Sequence, residues 1–205
     1  MTPSWYPPPL PARTLYNHRM LQIIAVVELI VCWFGWAFAF VSARKRAAGQ
    51  EKVVRAPASW WGIALVGVGF FCVMVQVRPA GYHKSPLSLV LSMLLAPLAA
   101  ALAWAATRHL GKQWRYEAAL SADHDLVQTG PYAVIRHPIY TSMLGMLLSA
   151  GFCLTWWPML LLGLAFFLLG TEIRIHAEER LLAGRFGDTY AAYRARVPAY
   201  IPYVR

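Results

Sequence analysis

Several stretches of this chain are too apolar to face water along their whole length, and this restricts the fold more than any motif does. Residues 21–43 form an apolar run whose only charged residue is Glu28, and stop at Arg44, Lys45 and Arg46. Residues 60–77 form a second run, closed by Arg78 and Pro79. Residues 86–107 form a third, with Pro97 inside it as an expected kink. Residues 140–171 are apolar again. A hydrocarbon core takes about 20 helical residues, so this last run is long for one crossing. Thr155-Trp156-Trp157-Pro158 offers a natural break. The pattern predicts two short helices over 140–171 forming a hairpin, with the Trp pair at the far interface.

The expected fold is therefore an all-α integral membrane protein with about five transmembrane helices. It reads as a single domain, 1–205. Residues 1–20 are a Pro-rich extended tail, 21–107 hold three transmembrane helices, and 108–205 hold the hairpin and its polar flanks. The start, MTPSWYPPPLPART, lacks the basic opening of a signal peptide, and the apolar run behind it is too long for an h-region. Residues 108–138 are too polar to cross a membrane; a short amphipathic helix is expected near 110–120, followed by a structured loop.

Composition agrees with this class. Hydrophobic residues make up 59% of the chain and charged residues only 14%, outside the usual range of a soluble globule. The net charge of +10 would suit nucleic acid. Its distribution argues against that, because Lys and Arg cluster at the ends of apolar runs, where they anchor a membrane protein. With the N-terminus outside, only Arg13, Arg19, Arg78 and Lys84 lie on the outer side, and the other fifteen Lys and Arg lie inside. The positive-inside rule thus favours an outer N-terminus and a cytoplasmic C-terminus. Cys32, Cys72 and Cys153 sit singly in apolar runs, with no CxxC pair and no ligand set, so no metal site is expected.

The hairpin would bring the segments before Tyr140 and after Thr171 together on one face, and chemistry concentrates there. Gly130-Pro131-Tyr132 is a turn signal. Arg136-His137-Pro138 follows, with Pro138 suited to the first turn of a helix. A helix N-terminus beside Arg136 and His137 can hold a carboxylate or phosphate. Beyond the hairpin, Glu172 and His176 are four apart, as are Arg174 and Glu178, so two charged pairs line neighbouring helix faces. Ionisable groups within a turn of the hydrocarbon are costly and mark functional positions, although surface ion pairs would read the same way. Glu28, two turns inside the first run, needs a partner or a proton. The Tyr-rich stretch 186–202 reads as an interfacial belt or as a lid over a pocket. No GxGxxG after a strand, Walker loop, HExxH or GxSxG is present, which disfavours a soluble nucleotide domain.

Taken together, HDLVQTGPYAVIRHPIY, an apolar hairpin, and RIHAEERLLAGRFGDTYAAYRARVPAYIP resemble the isoprenylcysteine carboxyl methyltransferase family, which shares its pattern with membrane phospholipid methyltransferases. The resemblance covers about residues 124–202; the first three helices contribute only compatible hydropathy. It implies an integral-membrane enzyme using S-adenosylmethionine bound in a cytoplasmic pocket between the RHP segment and the helix after the hairpin. By motif position, the resemblance implies that His124, Leu126, Val127, Tyr132, His137, Pro138 and Tyr140 line the cofactor site. It implies that Glu178 binds the cofactor and that Arg174 faces the substrate. Glu117 stands where the family can place a Gln, so that contact is not carried over.

The chemistry fits in kind. A carboxylate at Glu178 suits the cofactor's ammonium. His137 and backbone groups near Pro138 suit its carboxylate, and Tyr132 and Tyr140 suit its adenosine or sulfonium. Arg174 would hold an attacking carboxylate with no general base; an amine or thiol would need deprotonation by Glu172 or His176. The expected acceptor is a lipophilic or amphiphilic small molecule reached from the bilayer, such as a prenylcysteine-like carboxylate. A phospholipid amine or a small thiol, a membrane reductase using NADPH, and a non-catalytic membrane scaffold are the alternatives.

Overall fold

The computed structural model describes residues 12–46, 54–55, 59–75, 79, 82–113, 119–120 and 125–200. Among the described residues, five α-helices carry the fold: α1 (Ala12–Arg46), α2 (Ser59–Met74), α3 (Pro86–Leu110), α4 (Pro138–Leu154) and α5 (Trp157–Arg196). A two-residue antiparallel ladder pairs β1 (Val54–Arg55) with β2 (Ala119–Leu120) and ties the α1–α2 connection to the polar segment after α3.

By length and composition, α1, α3 and α5 are long and apolar enough to cross a membrane. The shorter apolar helices α2 and α4 have 16 and 17 residues. That is about 24–26 Å of helix against a hydrocarbon core of about 30 Å. Of the five expected spans, three therefore meet the length requirement outright and two fall short of it. Large apolar side chains such as Ile23, Val27, Phe34, Phe38, Leu94 and Leu98 face outward, a surface suited to hydrocarbon.

Local signals explain the boundaries. Ser85 caps α3, its hydroxyl accepting from the Ser88 N–H at 3.1 Å, and Pro86 opens the first turn. α3 runs through Pro97 as one helix and ends at Gly111, whose φ of 56° no β-carbon would favour. In the segment 110–120, where an amphipathic helix is expected, the described residues form a 3-10 turn over Gly111–Gln113 and the strand Ala119–Leu120, and residues 114–118 lie outside the described residues. α4 starts at Pro138 and stops at Thr155, at the break the TWWP stretch predicts. α5 is not a short arm. With no proline between Pro158 and Pro198 it continues for 40 residues, carries the charged 172–180 segment as helix, and breaks only at Gly187 (φ 49°, ψ −124°). At the other end, α1 begins at Ala12 rather than near residue 21.

α1 packs on α3, α2 packs on α5, and α4 touches all four of the others. Consecutive helices α1 and α2 barely touch each other. Small residues allow the close pairs. A β-carbon at Gly62 would stand 2.7 Å from the Gly170 carbonyl oxygen, and the same holds between Gly69 and Gly163. The two pairs are seven residues apart on each helix, so α2 and α5 meet backbone to backbone along their length. Between α3 and α4, the Ser92 hydroxyl donates to the Ser149 carbonyl at 2.9 Å, and the Ser149 hydroxyl donates to the Ser92 carbonyl at 3.0 Å. Phe167, Leu89, Met146, Leu147 and Val73 are buried at the centre of the core.

Candidate functional site

The first turn of α4 and the stretch of α5 just beyond its apolar part converge on a polar cluster. Pro138 fixes the start of α4 and projects Tyr140 across to α5. Its hydroxyl donates to Glu178 Oε1 and accepts from Arg174 Nε at 2.7 Å. The Arg174 guanidinium also lies over the Tyr140 ring, 5.4 Å from its centroid, and 3.8 Å from Glu178. The i,i+4 spacing of Arg174 and Glu178 thus becomes a triad with Tyr140 at its centre, about one turn past the Gly62–Gly170 contact.

A second cluster backs the first. His137 is buried between two carboxylates, its Nε2 3.3 Å from Glu179 Oε1 and its Nδ1 3.7 Å from Glu178 Oε2. Arg136 pairs with Glu179 at 2.9 Å, and Arg194 approaches the same carboxylate at 3.5 Å. Burial by itself would raise the Glu179 carboxyl. The His137 hydrogen bond and the Arg136 and Arg194 charges outweigh it and bring it down to about 2.

The chain beyond Gly187 folds back over this cluster as a strap. Pro198 and Ala199 carbonyls accept from the Arg136 and His137 N–H groups at 2.8 and 3.0 Å. The Tyr193 hydroxyl donates to the Tyr132 carbonyl at 2.7 Å, and the Thr141 hydroxyl to the Tyr200 carbonyl at 2.7 Å. Tyr190, Tyr193 and Val197 form a small core with Leu126, Leu182 and Phe186. Burial pushes the Tyr193 hydroxyl up to about 12, against the opposing Arg136 charge. Burial, then the Glu178 charge, raises Tyr132 further still, so both remain hydrogen-bonding phenols at neutral pH.

Between these walls lies a cavity of about 560 Å³. Its polar end is lined by Leu126, Val127, Tyr132, His137, Tyr140 and Glu178. Its other end is apolar and lies between α1 and α2, where those helices fail to pack. α1 contributes Trp33, Trp36, Ala37 and Phe40; α2 contributes Ile63, Val66, Gly67 and Phe70. Each set is an i, i+3, i+4, i+7 stripe, one face of a helix. Trp36 reaches α4, its Nε1 3.4 Å from the Ser142 hydroxyl.

Of the residues expected at the site, Leu126, Val127, Tyr132, His137, Pro138, Tyr140, Arg174 and Glu178 all line this one cavity. His124 lies outside the described residues, as does Glu117. Glu172 does not join them: it pairs with exposed His176 at 3.4 Å on another face of α5 and does not line the cavity. The reason is angular, because two residues of helix turn Glu172 about 200° away from Arg174. Glu28 also stays off the cavity wall. Sequence reasoning placed Glu179 on the facing wall without giving it a role, and missed the whole aromatic limb. The stripes on the first two runs were the available signal, but long runs that are apolar all round hide a stripe. Among the described residues, no group of three or more His, Cys, Asp or Glu is placed to hold a metal ion.

Residues 90–184 match the model of the isoprenylcysteine carboxyl methyltransferase (ICMT) family. The chain is 34% identical over 144 residues to the cobalt-zinc-cadmium resistance protein CzcN of Cupriavidus metallidurans, covering 69% of this chain and 62% of that protein. It is 37% identical over 83 residues to the protein-S-isoprenylcysteine O-methyltransferase of Schizosaccharomyces pombe, covering 40% of this chain and 35% of that protein. The chain thus spans less than two thirds of the length of either relative. The matched segment holds α4, the Tyr140–Arg174–Glu178 triad and His137, and over that segment the chain is similar to the isoprenylcysteine carboxyl methyltransferase family.

Proposed function

We propose that this chain is an integral-membrane methyltransferase that uses S-adenosylmethionine and methylates a membrane-associated amphiphile. The favoured acceptor is a carboxylate of prenylcysteine type. The observation that carries the reading is the single cavity joining the Tyr140–Arg174–Glu178 triad to an apolar limb between α1 and α2. A charged cofactor and a lipophilic acceptor need such a two-natured space. The proposed orientation has the N-terminus outside, with the C-terminus and polar cluster cytoplasmic, in keeping with the basic residues at that end of α1.

The donor set suits the cofactor. Glu178 would hold its ammonium, and the N-terminus of α4 would favour its carboxylate. Leu126, Val127 and Tyr132 would cover its adenosine. His137, turned toward Glu178 and Glu179, would orient those carboxylates rather than meet the cofactor's own. When bound, S-adenosylmethionine supplies an electrophilic methyl group on a sulfonium. Arg174 would hold an acceptor carboxylate in line with that methyl, and alignment of this kind contributes much of the rate. Tyr140 would fix the Arg174 and Glu178 side chains relative to each other. The strap from Tyr193 to Tyr200 would keep water from the reacting groups.

Calorimetry on the purified protein tests the reading. It should bind S-adenosylmethionine rather than NADPH, and Glu178→Ala should weaken that binding about 10- to 100-fold, as expected for losing a charge-assisted hydrogen bond. Unchanged affinity in the variant would overturn the site. Membranes supplied with radiolabelled cofactor should yield a base-labile ester; base-stable label would replace the carboxylate acceptor by an amine or a thiol.

A further inference from the structure

The arginines around the polar cluster are answered by carboxylates: Arg136, Arg174 and Arg194 each meet Glu178 or Glu179. The cations where α1 and α3 end are not. Among the described residues, Arg44, Lys45, Arg46 and Arg108 meet no carboxylate, and all four are exposed. The fold gathers them at one edge. Arg46 crosses to α3, where its guanidinium donates to the Thr107 carbonyl at 3.5 Å, beside Arg108 in the chain. The Arg108 guanidinium lies over the Trp104 ring, 5.1 Å from its centroid. Trp104 is itself tied to α1: its Nε1 donates to the Gly35 carbonyl at 3.0 Å, and its ring meets that of Phe38 at 5.8 Å. Each helix C-terminus offsets only about half a unit of positive charge, so the two ends leave most of these four charges without an anion.

The surface leading to the cations is apolar. Phe34, Phe38, Val41 and Lys45 stand at i, i+4, i+7 and i+11, one face of α1, and the first three are exposed. From Phe34 to Lys45 the helix rises roughly 16 Å, one leaflet's share of a hydrocarbon core about 30 Å thick. We propose that this edge of α1 and α3 holds an anionic phospholipid, its phosphate among Lys45, Arg46 and Arg108 and an acyl chain along Phe38 and Phe34. A free phosphate would use the cations alone; the aromatic stripe that runs into them fits the lipid. The inference rests on these helices spanning a bilayer and not on the methyl-transfer reading.

Native mass spectrometry of the full chain in detergent, titrated with palmitoyl-oleoyl phosphatidylglycerol or with phosphatidylcholine of the same chains, counts single bound lipids. The first phosphatidylglycerol should bind at least about tenfold more tightly than the first phosphatidylcholine. Arg46→Gln combined with Arg108→Gln should weaken it by about tenfold or more, at about fivefold for each cation lost beside a lipid headgroup. Lys45→Gln removes a charge that makes no hydrogen bond in the described fold, and should weaken it about fivefold even where the double variant is unstable. Arg180→Gln, an exposed charge on α5, is the control and should change the affinity by less than about twofold. Equal affinity for the two lipids overturns the site, as does a loss in Arg180→Gln as large as that in the double variant, which would reduce the effect to general surface charge. Displacement of the lipid by inorganic phosphate at a similar concentration would overturn the lipid as the occupant.

Discussion

Gly69 and Gly163 face each other so closely that a β-carbon on either would stand 2.7 Å from the other's carbonyl oxygen. This contact, with its repeat at Gly62 and Gly170, sets how near α2 lies to α5. It therefore sets where Arg174 stands relative to the cavity. Gly69→Val should force the helices apart at a cost of about 1–3 kcal/mol, seen as a lower thermal midpoint in detergent. Gly67→Ala is the control on the same helix, since nothing lies within 4 Å of its added carbon. It should be neutral or stabilising by up to about 1 kcal/mol. Equal destabilisation by both would show that the helices are not held by this close approach.

Tyr140 joins Arg174 to Glu178 through one hydroxyl. Tyr140→Phe keeps the ring and its contact with the guanidinium, but leaves two charged groups short of a partner. That should cost about 1–3 kcal/mol, divided between stability and cofactor affinity. Cofactor titration of the variant beside Tyr140→Ala separates the hydroxyl from the ring. If the phenylalanine variant binds as the intact protein does, the hydroxyl has no organising part.

Arg174 is proposed to hold the acceptor and not the cofactor. Arg174→Lys keeps the charge and loses the planar fork. It should raise KM for a carboxylate acceptor by about tenfold, the effect of one lost charged hydrogen bond, with cofactor affinity little changed. A matching loss of cofactor affinity would move Arg174 to the cofactor side of the cavity.

Glu179 makes stability depend on acid. Its carboxyl lies at about 2 in the folded chain, against an ordinary value of 4.5. A depressed carboxyl adds stability that is fully present above the unfolded value and is lost as pH falls toward the folded one. Thermal midpoints of the intact protein and Glu179→Gln should therefore differ most near neutral pH. The gap should narrow as pH drops below about 4.5. A gap independent of pH would mean that the Glu179 charge does not hold the Arg136, His137 and Arg194 cluster together.

The strap depends on a few hydrogen bonds to the turn before α4. Tyr193→Phe removes the donor to the Tyr132 carbonyl. It should cost about 1–2 kcal/mol locally and speed amide exchange at Arg136 and His137, whose N–H groups bond to Pro198 and Ala199. Unaltered exchange there would show that the strap is held without this bond.

The sequence by itself determined what is local. The lengths of its apolar runs set the number and type of helices. Pro86, Pro138 and Gly111 set where helices begin and stop, and the TWWP stretch set the break between α4 and α5. The residues of the polar end were implied by the family resemblance of the motifs, whereas the four-residue step that pairs Arg174 with Glu178 is a property of any helix. What only the tertiary structure decided is which faces meet. Nothing in the chain's order says that Tyr140 stands between Arg174 and Glu178, that Glu179 rather than Glu172 faces inward with His137, or that Trp33 and Phe70 meet edge to face in one limb of the same cavity. α5 and the first two helices are apolar over most of their circumference, so periodicity could not distinguish a side facing lipid from a side facing the cavity. That choice was made by the glycine contacts between α2 and α5 and the serine contacts between α3 and α4. They draw those pairs together and leave α1 and α2 apart.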